Sequence, residues 1–150
     1  MPFIIKFMKR NPALIPLSHF HRRILFLALI ARKNAPAVKG YPETVEGKID
    51  YALDFYQEQL IPHFRKEEKL WTYFGDRYKT IDALIGELRA ERAQIHDMFT
   101  NLKSTKTRLQ LEEIGPALER HVRREERELF QKIQEVASEE DMAWTESIVG

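Results

Sequence analysis

Two similar stretches of the chain, HFRKEEKLW at 63–71 and HVRREEREL at 121–129, each place a histidine four residues before a glutamate. In both, the histidine and the glutamate continue the apolar stripe of a helical segment. Residues i and i+4 share one face of a helix, so His63 lies beside Glu67 and His121 beside Glu125. A carboxylate in a helical core is costly unless it is paired or bound to a metal. The repeat therefore predicts helices that bring the two pairs face to face.

Helix-breaking residues divide the chain into four long helical segments, which open near residues 16, 42, 78 and 107. We expect Ser18 to cap the first segment and Pro62 to kink the second. Four helices joined by short connections predict an all-α, antiparallel up-down-up-down four-helix bundle over about residues 12–137. Residues 1–10 and 138–150 are expected to be peripheral, with a short last helix capped by Ser138.

Composition narrows the possible functions. The 150 residues suit one domain, residues 1–150. The absence of cysteine excludes disulfides, cysteine-bound zinc and thiol catalysis, and it favours the cytoplasm. The 24 basic and 23 acidic residues give a net charge of +1, which argues against nucleic acid as a partner. No apolar run reaches the roughly 20 residues of a membrane span, so no membrane association is expected.

The first and third segments add candidate ligands to the two histidine–glutamate pairs. His21 shares a face with the apolar residues of the first segment, whereas His19 lies about 200° around the helix from it. In the third segment, Glu91 lies closer to the apolar stripe than His96, so Glu91 is the candidate there. Imidazole and carboxylate ligands without thiolate favour non-haem iron, followed by manganese or zinc.

The stretch RNPALIPLSHFHRRIL, the two H-x-x-x-E motifs and the four-helix pattern together resemble the hemerythrin-like, or HHE cation-binding, domain family. The resemblance covers roughly residues 9–136. It implies a non-haem site with two iron ions that binds oxygen, nitric oxide or peroxide, or that handles iron. The ligands it implies are His21, His63, Glu67, His121 and Glu125. The third helix of the family normally supplies a further histidine, and the matching position here is Leu88, or Arg92 one turn along.

Three functions are consistent with this pattern. The first is metal-dependent binding or sensing of a small diatomic ligand or peroxide. The second is an iron or peroxide oxidoreductase that uses the same site. The third is a metal-free helical interaction domain with a degenerate site and a protein partner, which Leu88 motivates. The sequence indicates no oligomeric state.

The second glutamate of each repeat has a simpler expected role. Glu68 and Glu126, together with Glu128, are surrounded by lysine and arginine at helical spacing. We expect all three on solvated, salt-bridged helix faces.

Overall fold

The computed structural model describes residues 9–149, so the expectations for residues 1–8 lie outside the described residues. Its helices are α1 (Ile15–Ala31), α2 (Val45–Phe55), α3 (Ile61–Arg77), α4 (Lys79–Thr105), α5 (Arg108–Arg124), α6 (Phe130–Val136) and α7 (Glu139–Val149). Two π-helical turns, Tyr56–Leu60 and Glu125–Leu129, join α2 to α3 and α5 to α6. Residues 9–149 contain no strand. Counted with the π-helical turns that join them, α2 and α3 form one long helix, and α5 and α6 form another. With α1 and α4 they make four long helices, and α7 is a short fifth one, which confirms the predicted all-α four-helix bundle.

Each long helix packs against at least two others. Helix α1 lies against α2 and α5, and α4 lies against α3 and α5. The approach of α1 to α5 is close at Gly115, where an added Cβ would lie 2.9 Å from the carbonyl oxygen of Ala28. A larger residue at this position would push the two helices apart. None of the described helices is both long and apolar enough to cross a membrane.

The core consists of two apolar clusters, one toward each end of the bundle. The first cluster includes Ile24 of α1 and Phe64 of α3, and the second includes Leu17 of α1 and Leu70 of α3. Between Leu17 and Ile24 lies the buried His21. The buried polar residues of the repeats lie between the clusters in the same way, so the apolar core encloses a polar layer.

Two prolines, Pro16 and Pro62, lie in the first turn of a helix. Helix α1 begins at Ile15 rather than at Ser18, because Pro16 has a backbone angle that suits a first helical turn. The prediction of Ser18 as the N-cap was therefore wrong. Pro62 was expected to kink or locally break its helix, and the α-helical geometry is indeed interrupted just before it. A π-helical turn lies there, in which the Ile61 N–H bonds the Tyr56 carbonyl five residues back.

The C-terminal segment packs closely on the bundle. Ser138 caps α7 as expected, because its hydroxyl accepts from the Asp141 N–H at 3.1 Å. Helix α7 lies on α3, where the Trp144 ring stacks on Tyr73 with 3.7 Å between centroids. Asp141, Thr145 and Val149 are buried. The segment that we expected to be peripheral thus covers part of the second cluster.

Candidate metal centre

Five of the six predicted ligand residues meet in the polar layer between the two clusters. They come from the first, second and fourth long helices, and all are buried: His21, His63, Glu67, His121 and Glu125. Their exposed fractions lie between 0% for Glu67 and 6% for His63. Such depth is unusual for carboxylates, which remain buried only when they are paired or bind a cation.

Glu67 lies between two imidazoles. Its Oε1 is 3.3 Å from Nε2 of His63, one helical turn before it. Its Oε2 is 3.2 Å from Nε2 of His21 on α1. The two oxygens of one carboxylate therefore face two different histidines.

Glu125 repeats this arrangement on the other side of His21. Its Oε1 is 2.9 Å from Nε2 of His121, and its Oε2 is 3.5 Å from Nε2 of His21. Imidazoles and carboxylates thus alternate across the bundle, with His21 at the centre and the two H-x-x-x-E pairs on either side.

The residues at this site fit a bound cation. Four buried atoms of the site make no hydrogen bond, namely Nε2 of His63, Oε1 of Glu67, Nε2 of His121 and Oε2 of Glu125. Each of these atoms lies 2.9–3.5 Å from an oppositely polar atom of the site without forming a hydrogen bond, so a cation that binds several of them would satisfy them. Two ligand atoms that each lie about 2.1 Å from a metal, at a right angle, are about 3 Å apart. The distances between the histidines and the carboxylates are of this size.

Two further carboxylates hold the outer nitrogens of the histidines. Nδ1 of His21 lies 2.5 Å from Oε2 of Glu126, and Nδ1 of His121 lies 3.0 Å from Oε1 of Glu91. A carboxylate on one ring nitrogen fixes the tautomer and turns the other nitrogen toward a metal. In both histidines the free nitrogen, Nε2, points into the site.

Glu91 lies on the outer side of His121, apart from the five converging side chains, whereas we expected it among the metal ligands. Its Oε1 bonds the outer nitrogen of His121, and its Oε2 accepts from Arg124 Nη1 at 2.6 Å. Both carboxylate oxygens of Glu91 thus already accept hydrogen bonds on the outer side of the His121 imidazole.

Glu126 was expected on a solvated face, and that prediction was wrong. Its side chain is only 24% exposed, and besides His21 it accepts from the Ser18 hydroxyl at 2.9 Å and from Arg10 at 3.3 Å. The π-helical turn that begins at Glu125 changes the phase of the helix, so two consecutive carboxylates face α1. In the first repeat, Glu68 behaves as predicted and pairs with Arg89 at 2.6 Å and with Arg92.

The third long helix, α4, contributes no imidazole. Leu88 is fully buried in the second cluster. The Arg92 guanidinium lies over the ring of Trp71, 4.3 Å from its centroid, and pairs with Glu68. Helix α4 thus offers the site an apolar residue, a guanidinium group and, through Glu91, a carboxylate on the outer nitrogen of His121.

The electrostatics of the site favour cations. Burial alone would lower the pKa of His21, but the carboxylates of Glu125, Glu126 and Glu67 outweigh it and hold this pKa well above its usual range. The pKa of His121 is raised in the same way, because Glu125 opposes the effect of burial. A site that binds protons this strongly has a negative potential that also attracts metal ions.

The family model described as the hemerythrin HHE cation binding domain matches residues 17–133. No curated protein and no solved structure matches. The matched region holds all five converging side chains and both outer carboxylates. The chain therefore belongs to the hemerythrin HHE cation-binding domain family.

Proposed function

We propose that this protein binds non-haem iron at two positions among His21, His63, Glu67, His121 and Glu125, and that it binds or senses oxygen, nitric oxide or peroxide there. The observation that carries the proposal is the alternation of imidazoles and carboxylates with four buried ligand atoms that lack hydrogen bonds. Nitrogen and oxygen ligands without thiolate suit iron, and manganese and zinc are the next candidates. Bound iron would supply an exchangeable coordination position for a small ligand.

A cavity beside His63 supports the binding of an external ligand. It has a volume of about 250 Å³, and its lining includes Phe20, Gln59, His63 and Lys66. The Phe20 ring stacks on the His63 imidazole with 4.2 Å between centroids, and both residues line the cavity. Structural metal sites are closed, whereas sites that exchange a ligand keep a position open. Phe20 is well placed to control access to such a position.

Changing the size of Phe20 is expected to change the rate of ligand binding. Phe20→Ala should speed the binding of nitric oxide to the iron-loaded protein, and Phe20→Trp should slow it, with iron content unchanged in both. The measurement is stopped-flow absorbance. Phe26→Ala, on the same helix but packed against Tyr41, is the matched control. Equal rates in all four proteins would show that ligands reach the site by another route.

The outer carboxylates are expected to strengthen metal binding without touching the metal. Glu126→Gln and Glu91→Gln should each weaken metal affinity by roughly 10–100-fold, because His21 and His121 then lose their charged partners. Competition with a chromophoric chelator measures this effect. Glu68→Gln is the control, since Glu68 occupies the position of Glu126 in the first repeat but pairs with arginines. Equal affinities in all three variants would contradict the assigned role.

The experiment that tests the proposed function is the elemental content of protein purified without chelator from iron-supplemented cells. Close to two irons per chain is expected, together with absorbance changes on adding nitric oxide or peroxide. Sustained consumption of peroxide would indicate an oxidoreductase, whereas stoichiometric oxidation would indicate binding or sensing. Protein that holds no metal, and whose melting temperature ignores added iron, manganese and zinc, would favour a metal-free interaction domain.

A further inference from the structure

We propose that the two metal positions are unequal, so that one cation binds first at His21, His63 and Glu67 and a second binds more weakly at His121 and Glu125. This inference rests on the proposed metal binding, and it concerns the order and the affinity with which the two positions bind metal.

The first position has a complete set of donors. One ligand atom each from His21, His63 and Glu67 lies within 4.8 Å of the others, and all three residues are buried. Two imidazoles and one carboxylate form a set that binds a single non-haem Fe(II) and leaves positions open for a ligand. Glu126 bonds His21 and Phe20 stacks on His63, so both rings are held before any metal arrives.

The second position has fewer donors. His121 and Glu125 lie one turn apart on the same helix, with 2.9 Å between Nε2 and Oε1. Residues 9–149 form no second group of three histidine or carboxylate ligand atoms at this spacing. A cation here has two protein ligands from this pair, against three at the first position. A smaller ligand set binds a given ion more weakly.

Electrostatic repulsion adds to the difference in metal affinity between the two positions. Arg10 pairs with Glu126 beside His21, and Arg124 pairs with Glu91 beside His121. Each position thus has one guanidinium group on an outer carboxylate, so these two charges do not distinguish the positions. Arg92 lies on the His121 side of the site, where it pairs with Glu68 and lies over Trp71, whose ring centroid is 6.1 Å from that of His121. A cation already at the first position repels a second cation.

The test is a titration of the full-length, chelator-treated protein with Co(II), followed by absorbance and by competition with a chelator. We expect two phases, one equivalent each, with affinities that differ by about tenfold or more. His63→Ala should remove the tight phase. His121→Ala should keep the tight phase and remove the weak one, and His19→Ala should keep both, since His19 is exposed.

A gain of affinity provides a test that does not depend on the folding of ligand variants. Arg92→Gln removes a positive charge on the His121 side and leaves Glu68 paired with Arg89, so it should strengthen the weak phase severalfold while leaving the tight phase unchanged. Two equivalents that bind in one phase, or equal losses in His63→Ala and His121→Ala, would overturn the inequality and leave metal binding intact. Failure of the unsubstituted protein to bind Co(II) or Fe(II) would instead overturn the proposed function itself.

Discussion

The double substitution His63→Ala and His121→Ala is expected to abolish the stabilisation of this protein by iron. A ligand that binds only the native state at a hundred times its dissociation constant adds about 2.7 kcal/mol to the free energy of unfolding. For a domain of this size, that gain raises the melting temperature by roughly 5–10 °C. The double variant loses one imidazole from each metal position, so its melting temperature should not respond to Fe(II). Anaerobic thermal unfolding, followed by circular dichroism with and without Fe(II), measures both responses.

His19→Ala is the matched control for this prediction. It also removes a histidine side chain, here from the first long helix, but His19 is exposed and lies outside the site. This variant should bind iron and gain stability as the unsubstituted protein does. If the double variant kept its iron content and its full thermal shift, the metal would have to bind elsewhere. The ligand assignment would then be wrong.

Local periodicity accounts for what could be predicted of the fold and the site. Helical spacing of apolar residues is a short-range signal, and it indicated four helices. The i, i+4 spacing of His63 with Glu67 and of His121 with Glu125 then showed that both pairs belong to the buried face. The inward position of His21 followed from the same period.

The partners of the histidines could not be found in this way. Glu126 reaches His21 across 105 positions of sequence, and no local pattern encodes such a contact. The π-helical turn that aims Glu126 inward also departs from the 3.6-residue period on which the prediction relied. Helical spacing placed Glu91 near the apolar face of α4, but the contact that holds its carboxylate comes from Arg124, 33 residues away. One signal was available, because the repeat contains two consecutive glutamates and the second was assigned only to a solvated helix face.

The C-terminal helix shows the same limit. Ser138 was recognised as the N-cap because capping is a local signal. The packing of α7 instead depends on residues of α3 and of its C-terminal end, which are distant in sequence. Asp141 is fully buried and accepts from the hydroxyls of Tyr73 and Tyr78. It also accepts from the Ser138 N–H at 2.9 Å. One carboxylate thus joins the start of α7 to the end of α3.

Asp141→Asn is therefore expected to cost about 3 kcal/mol of stability at neutral pH, because several donors lose a charged acceptor in a buried position. Chemical denaturation measures this cost. Glu140→Gln, an exposed neighbour, is the control and should change stability little. Metal content should be unchanged in both variants, since Asp141 lies at α7 and not at the metal centre. A loss of metal in Asp141→Asn alone would show that α7 also supports the site.

The same carboxylate is expected to make stability fall in acid. Burial alone would raise the pKa of Asp141, but the hydrogen bonds from Tyr78, Ser138 and Tyr73 lower it from 3.8 to about 2. A group with a depressed native pKa stabilises the fold above its unfolded pKa, and this contribution disappears as pH falls through the native value. The unsubstituted protein should thus lose about 2 kcal/mol between pH 4 and pH 2 that Asp141→Asn does not lose. Denaturation curves at several pH values would show the two stabilities converging, whereas parallel curves would mean that Asp141 titrates normally and contributes little.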